Sequence, residues 1–495
     1  MTQAEPPRES DEAPRSPAGW LSPVLLLSVP AELLTAGRDG LVLLLLIFVA
    51  PLLALLLPRS PVPPVQNRST GTLAAVLMLL MVGIILWANL ALAGDVAVWL
   101  GSPRWSGALV AGGGAVALAA LGEDERRGRL LGLLALLALA LPLVVILRAT
   151  DPVPPRVWSR VASQAAFRFS PESHWVSEGR SVRVRGADTL VFEEEHRLIP
   201  LTDGRMRVTI SDGKRVRVEE VLVTHGRPVT LRPGDRLHVD GEARYRFEAG
   251  KRIPGAPASG IVWADAPLLP RGVAFLRLLG LGITLVGGAA ALFTLDGPRS
   301  RGGLALWGLL LFAAVVWSEC WAVYGAAYAP ELFLGGVTPE KLLELPALVL
   351  GEPWGRWLSG VALSGLLAGI LAAAAALRLA LGLMELPVAR DWRLWGGLVG
   401  LAGLASLWPF DAWTLLSLAF GLGASTLAPL ILVGGRPGAA MGATAVGFLL
   451  VVGLAALGRL DPAQGNALLS FPALIAAPAA WGILWLARRL SPEAE

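Results

Sequence analysis

The chain is poor in the residues on which catalysis and disulfide stapling depend. Its single cysteine, Cys320, lies inside an apolar run, so no disulfide framework exists and the redox compartment is not legible. Only four histidines occur, His174, His196, His225 and His238. No two have the short spacing a zinc site needs, so no metal is expected. Phosphate-binding loops, HExxH helices and GxSxG elbows are missing, which argues against an ATP-driven pump and against an enzyme, and implies no cofactor. Charge is scarce too. Charged residues make up 16% of the 495 positions, against about a quarter in an ordinary soluble domain.

Apolar residues fill the space that charge leaves. They reach 54% of the chain, with a mean hydropathy of +0.61. Several runs approach the roughly 20 residues that carry a helix across a bilayer. In lipid the backbone must satisfy itself, so those runs are expected as helices. The isoelectric point near 9.7 comes with a net charge of only +4. No basic stripe is interleaved with aromatics; arginine flanks the apolar spans instead, so nucleic acid is not an expected partner.

Residues 1–19, rich in Pro, Glu, Ser and Arg, cannot bury a core and are expected to be disordered. They lack the basic start of a signal peptide. Residues 20–40 include Trp20–Leu34, an apolar stretch broken by Pro23 and Pro30, expected as an interfacial segment or a helix stump. Four spans follow in 41–150, near 41–57, 72–94, 105–121 and 130–148.

Composition then changes. Residues 151–266 hold 19 of the 42 Lys and Arg, 16 of the 38 Asp and Glu, and all four histidines. Alternation in "SVRVRG", "RMRVTIS" and "KRVRVEEVLV", with "TDG", "SDG" and "RPGD" between, is the pattern of short half-buried strands joined by turns. A small all-β, water-exposed module is therefore expected between membrane helices. Seven further spans fall in 267–490, near 272–294, 303–329, 357–384, 394–409, 412–433, 438–458 and 467–488, giving about eleven. No fixed-period repeat is evident.

Basic residues sort by loop. Twelve follow odd-numbered spans, among them Arg126, Arg127, Arg129 and Arg390, and four follow even-numbered ones. Basic loops stay in the cytoplasm, so the C-terminus is expected inside and the N-terminus and β module outside an inner membrane. Trp99, Trp105, Trp354, Trp357, Trp392, Trp395, Trp408 and Trp413 stand near span ends as an aromatic belt.

"LAFGLGASTLAPLILVGGRPGAAMGATAVGFLL" (418–450) and "LLELPALVLGEPWGRWLSGVALSGLLAGILAAAAALRLAL" (342–381) resemble sodium:solute symporters, specifically the cation/acetate branch. "LLGLLALLALALPLVVIL" (130–147) and "LAAVLMLLMVGIILWANLALAG" (73–94) fall in the matching order. The resemblance implies a polytopic all-α membrane protein with an incomplete leucine-transporter-like inverted-repeat fold. It lacks the first two helices and carries the β module between core helices five and six. Substrate and Na⁺ would bind near the midplane between broken helices.

Under that resemblance the helix with Na⁺-ligating hydroxyls matches the span near 357–384, and the hydroxyl positions match Ala372 and Ala373. A methyl group offers a hard cation no oxygen, so the resemblance implies a degenerate cation site. Close packing of small residues explains the alanines equally well. Gly280, Gly282, Gly287 and Gly288 match the place where the family breaks its sixth core helix, and glycine is also common in membrane helices. Glu319 is the most deeply placed carboxylate. It is either a proton-linked group on a substrate path or a neutral, hydrogen-bonded structural one. Arg378 lies at a different depth and is expected to snorkel to the inner surface.

Two functions follow. One is a membrane transport protein of symporter type without Na⁺ coupling, handling a small organic-acid solute. The alternative is a non-transporting accessory or sensor protein whose external module binds a ligand or partner. The lipid bilayer is the expected surrounding. A subunit that supplies or replaces the missing N-terminal helices is a further candidate partner.

Overall fold

The computed structural model describes residues 20–37, 39–56, 68–122, 124–169, 174–177, 190–191, 194–200, 203–211, 216–233, 236–240, 243–248, 250–264, 272–296, 301–334, 336–351, 353–384, 386–408, 410–433, 437–460 and 471–489. Each expected apolar span is helical. The N-terminal set is α1 (Pro23–Ala36), α2 (Asp39–Leu56), α3 (Arg68–Trp99), α4 (Arg104–Leu121) and α5 (Asp124–Ala149). After the β module come α8 (Val273–Asp296), α9 (Arg301–Tyr328), α11 (Trp354–Leu383), α13 (Trp392–Ala405) and α14 (Ala412–Leu422). α15 (Ala428–Val433), α16 (Pro437–Leu460) and α17 (Ala473–Arg489) complete the bundle. Two short connectors, α10 (Leu345–Leu350) and α12 (Pro387–Arg390), join α9 to α11 and α11 to α13.

Among the described residues, seven helices are long and apolar enough to cross a membrane, the sixth of them running through α14 into α15 and the last being α16. This is a polytopic helical protein, but seven is fewer than the eleven expected. The other expected spans are helical too, but their apolar stretches are shorter, as in Leu278–Leu292 of α8 and Ala473–Ala487 of α17. α13, with 14 residues, reaches only about 21 Å, against a hydrocarbon core of about 30 Å.

Antiparallel packing of α5 on α11 forms one long seam, and small residues set its register. A side chain at Gly365 would meet Ala138 and Leu139, one at Gly369 would meet Ala135, and one at Gly128 would meet Ala375. Small residues let membrane helices approach closely enough for dispersion contacts, because apolar burial gains nothing over lipid. At the helix starts, Asp391 accepts from the Arg393 amide at 2.8 Å and Asp411 from the Thr414 amide at 3.0 Å. Each satisfies a donor the helix leaves open.

The inserted module holds two four-stranded antiparallel sheets. β1 (His174–Ser177), β8 (Ala243–Phe247), β3 (His196–Pro200) and β6 (Val229–Leu231) form one in that order. β2 (Leu190–Val191), β7 (Arg236–Asp240), β4 (Gly204–Ser211) and β5 (Val216–Val223) form the other. "RMRVTIS" and the "VRVEEVLV" of "KRVRVEEVLV" are strands, paired with Met206 opposite Val221; "SVRVRG" lies outside the described residues. Phe169 stacks on Phe247 at 4.4 Å; Leu198, paired with Phe247, and Leu231, paired with His196, are also buried.

The ends of the 151–266 interval are not β. They form α6 (Pro154–Ala162) and α7 (Gly260–Ala264). Prolines at its first two positions favour a helix start, and Val157 and Val161, one turn apart, are both buried. These helices dock the module on the bundle. Trp158 packs on Trp263 at 4.8 Å, and Phe167 on Phe333 at 4.9 Å. Arg160 donates to the Tyr328 hydroxyl at 2.7 Å, and the Tyr324 hydroxyl donates to the Asp151 carbonyl.

Candidate functional site

α1 is the element that organises the interior. The stretch Trp20–Leu34 is not interfacial: Trp20, Ser22, Val24, Leu25, Leu27 and Leu33 are all essentially buried. Its C-terminal end meets the module, where the Trp263 indole donates to the Leu34 carbonyl at 2.8 Å. The eleven-residue step from Pro23 to Leu34, at ~1.5 Å each, places its start about 16 Å from that contact. The helix therefore begins inside the bundle. Ser22 at its N-cap followed by Pro23 is the start signal.

Two helices flank that start, and a third backs one of them. The Pro23 ring fills the space a side chain at Gly369 of α11 would take. Trp20 stacks on Phe420 of α14 at 4.9 Å, and Phe420 in turn occupies the space above Gly288 of α8. Ala372 and Ala373, one turn beyond Gly369, are 1% and 0% exposed. The segment from Gly365 to Leu377 contains no hydroxyl, carboxylate or amide side chain.

The interior carries a backbone irregularity that sequence reasoning missed. Between α14 and α15 the chain forms a π-helical turn, Gly423–Leu427, fully buried. Such turns insert one extra residue and recur at functional sites. Its Thr426 hydroxyl donates back to the Leu422 carbonyl at 2.6 Å. The Ser425 hydroxyl, like those of Ser22 and Ser28 on α1, is buried with no hydrogen-bond partner among the described residues. Glycines let neighbours reach this turn. A side chain at Gly447 would strike the Ser425 carbonyl, one at Gly287 would strike Ala424, and one at Gly423 would meet Met81. The Ser22–Pro23 pair marked the start of α1 in the sequence; nothing in "GLGASTL" distinguishes a π turn from α-helix.

The expected break at the glycines of α8 is absent. α8 runs unbroken from Val273 to Asp296, because a Gly in a membrane helix loses no hydrogen bond and its neighbours supply packing. Gly280 instead receives Phe471, and the Thr284 hydroxyl donates to the Gly280 carbonyl at 2.7 Å. Gly282 lines an open apolar groove with Leu46 of α2. Neither glycine meets Ala372 or Ala373.

Glu319 lies outside the α1 centre as well. Leu309, Phe312 and Val316 are the exposed, outward face of α9, and Glu319 continues that stripe half-buried. It stands nine residues before Tyr328, about 13 Å from the helix end. Arg378 does not snorkel: it is 7% exposed and donates to the Ala119 carbonyl at the end of α4, at 3.1 Å. A cation there suits the negative end of the α4 dipole. The belt is partly as expected. Trp105, Trp354, Trp357, Trp392 and Trp408 are exposed near helix ends, but Trp395 is buried.

Outside the membrane spans, two ionisable groups are set by burial. Lys341 turns inward between α9 and α11, donating to the Leu334 and Gly336 carbonyls at 2.8 Å each. Burial holds its ammonium pKa below the ordinary value despite Glu340 and Glu344. His196 in β3 is buried beside the Phe169 and Phe247 rings. Burial lowers its pKa, outweighing Glu194. Among the described residues no group of His, Cys, Asp or Glu could hold a metal ion.

No protein family, curated protein or solved structure matches the chain.

Proposed function

We propose that this polytopic helical protein is a solute transporter of the inner membrane without Na⁺ coupling, its β module outside and its C-terminus in the cytoplasm. The observation that carries this reading is α1, a helix that starts in the bundle interior between α11 and α14. Discontinuous helices that begin near the midplane are how secondary transporters present backbone donors to a solute. The buried hydroxyls of Ser22, Ser28 and Ser425 belong to that helix and to the π turn. Likeness to the cation/acetate symporters makes a small organic acid the solute of choice. The methyl groups of Ala372 and Ala373 provide no oxygen for a cation, which supports the absence of Na⁺ coupling.

The test is uptake of labelled short-chain organic acids into proteoliposomes under Na⁺, K⁺ or proton gradients. Uptake independent of Na⁺ is expected. A ligand at about 100 times its Kd stabilises by about 2.7 kcal/mol, so Na⁺ binding would raise the melting temperature over equal K⁺. No such rise is expected, and a clear Na⁺-specific shift would restore an ordinary symporter.

The Trp263–Leu34 contact favours a second reading, an accessory or sensor protein. It ties the module directly to the outer end of α1, so a ligand or partner on the module would bear on the central helix. Proteoliposomes that take up no acid under any gradient would favour this reading.

A further inference from the structure

An apolar groove of about 460 Å³ runs down the outside of the bundle along α8. One face of α8, from Phe275 to Ala290, forms its long wall, with Leu46 of α2 on one side and Trp481 of α17 on the other. Ala424 of the π turn and Ala428 of α15 contribute the wall behind it. The groove exists because side chains are small where helices would otherwise close it. Gly287 lets Ala424 come against the α8 backbone, and Gly282 leaves an ordinary contact gap, 3.5 Å from the nearest Leu46 atom to where a side chain would begin.

We propose that this groove is a binding site for one acyl tail of a bilayer phospholipid. Three observations commit it to that occupant. It lies along apolar helix, beginning at Phe275 and Leu279, which are exposed to the medium, and for a bundle of membrane-spanning length that medium is hydrocarbon. Its 15-residue course on α8 is about 22 Å long, more than half of a ~30 Å hydrocarbon core. A tail descending from one interface passes the midplane over that distance, whereas a headgroup does not. Its described lining side chains are aliphatic or aromatic, apart from the Trp481 indole, and offer no charge to a headgroup at that depth. The tail rests against the π turn, so occupancy supports the one irregular stretch of the buried backbone.

The experiment uses the full chain, extracted in mild detergent and analysed by native mass spectrometry, then delipidated for thermal unfolding. Wild-type protein is expected to retain one phospholipid. Gly282→Leu, which fills the groove without a backbone clash, is expected to lose it, while Gly442→Leu, in open space on α16, keeps it. Adding palmitoyl-oleoyl phosphatidylethanolamine to delipidated wild-type protein should raise its melting temperature. The diphytanoyl lipid with the same headgroup, whose methyl-branched tails are bulkier, should raise it less. That comparison stands even where Gly282→Leu fails to fold. Retention unchanged in Gly282→Leu, or equal stabilisation by both lipids, overturns the site. A shift produced equally by free oleate overturns the phospholipid as its occupant.

Discussion

His196 shows how burial turns a side chain into a pH-dependent liability. With rings of Phe169 and Phe247 beside it and its pKa held below the ordinary 6.5, the folded module binds fewer protons than the unfolded one. Stability is therefore fully present above pH 6.5 and is lost as pH falls from there towards the folded pKa. The slope over that window approaches about 1.4 kcal/mol per pH unit for one such group. Limited proteolysis of the module in membranes should show a midpoint that declines below pH 6.5. His196→Gln should flatten that decline, and an unchanged slope would assign it elsewhere. Gly37 is the companion case in backbone geometry. Its φ is +60°, and an added Cβ would lie 2.0 Å from the Trp263 carbonyl oxygen. Gly37→Ala should lower the melting temperature more than Trp263→Phe. The latter removes one hydrogen bond, about 1 kcal/mol, and part of the buried indole packed on Trp158, but requires no shift of the backbone.

At the scale of elements, the α5–α11 seam depends on what its residues lack. A Cβ added at Gly365 would lie 2.8 Å from the Ala138 Cβ, too close to fit. Gly365→Leu must push the helices apart, and overpacking of this kind costs about 1–3 kcal/mol. A measurable fall in melting temperature is expected, while Gly360→Leu, pointing into open space on the same helix, should leave it within error. Equal behaviour of the two variants would remove the seam from the account of stability. The alanines 372–376 belong to this logic: all five are buried. α1 draws on a different source of order. It is short and carries Pro30 internally, so packing on all sides, rather than intrinsic propensity, holds it.

The arrangement of the whole molecule rests on one asymmetry: α6, α7 and the β module sit at the end of the bundle where α5 and α9 finish. In the proposed topology the arginine-rich loops are cytoplasmic, which predicts that end to be outside. In a Cys320→Ala background, Thr224→Cys on the exposed turn after β5 should react with an impermeant maleimide on intact cells. Labelling only after lysis would invert the topology and discard the external module. The apolar helices, their order and the β insertion were legible because hydropathy and period-2 alternation are local signals, whereas the number long enough to span was not: seven against the eleven expected. The burial of α1, the π turn and the lateral groove were not. Each depends on which helix meets which, as with Pro23 against Gly369 and Gly287 against Ala424.

The sequence by itself determined that the chain is helical in its apolar runs, since a backbone without water must bond to itself, and that strands interrupt them where charge and alternation return. It also determined that Ala372 and Ala373 carry no oxygen. Tertiary structure alone decided that Trp20–Leu34 is interior rather than interfacial, because an apolar helix is equally content against lipid or protein until its neighbours are known. It likewise decided that α8 stays continuous through four glycines while the irregular turn falls at Gly423–Leu427, and that Glu319 faces outward. Glycine permits a break without requiring one. Which permission is used depends on the side chains that arrive from other helices.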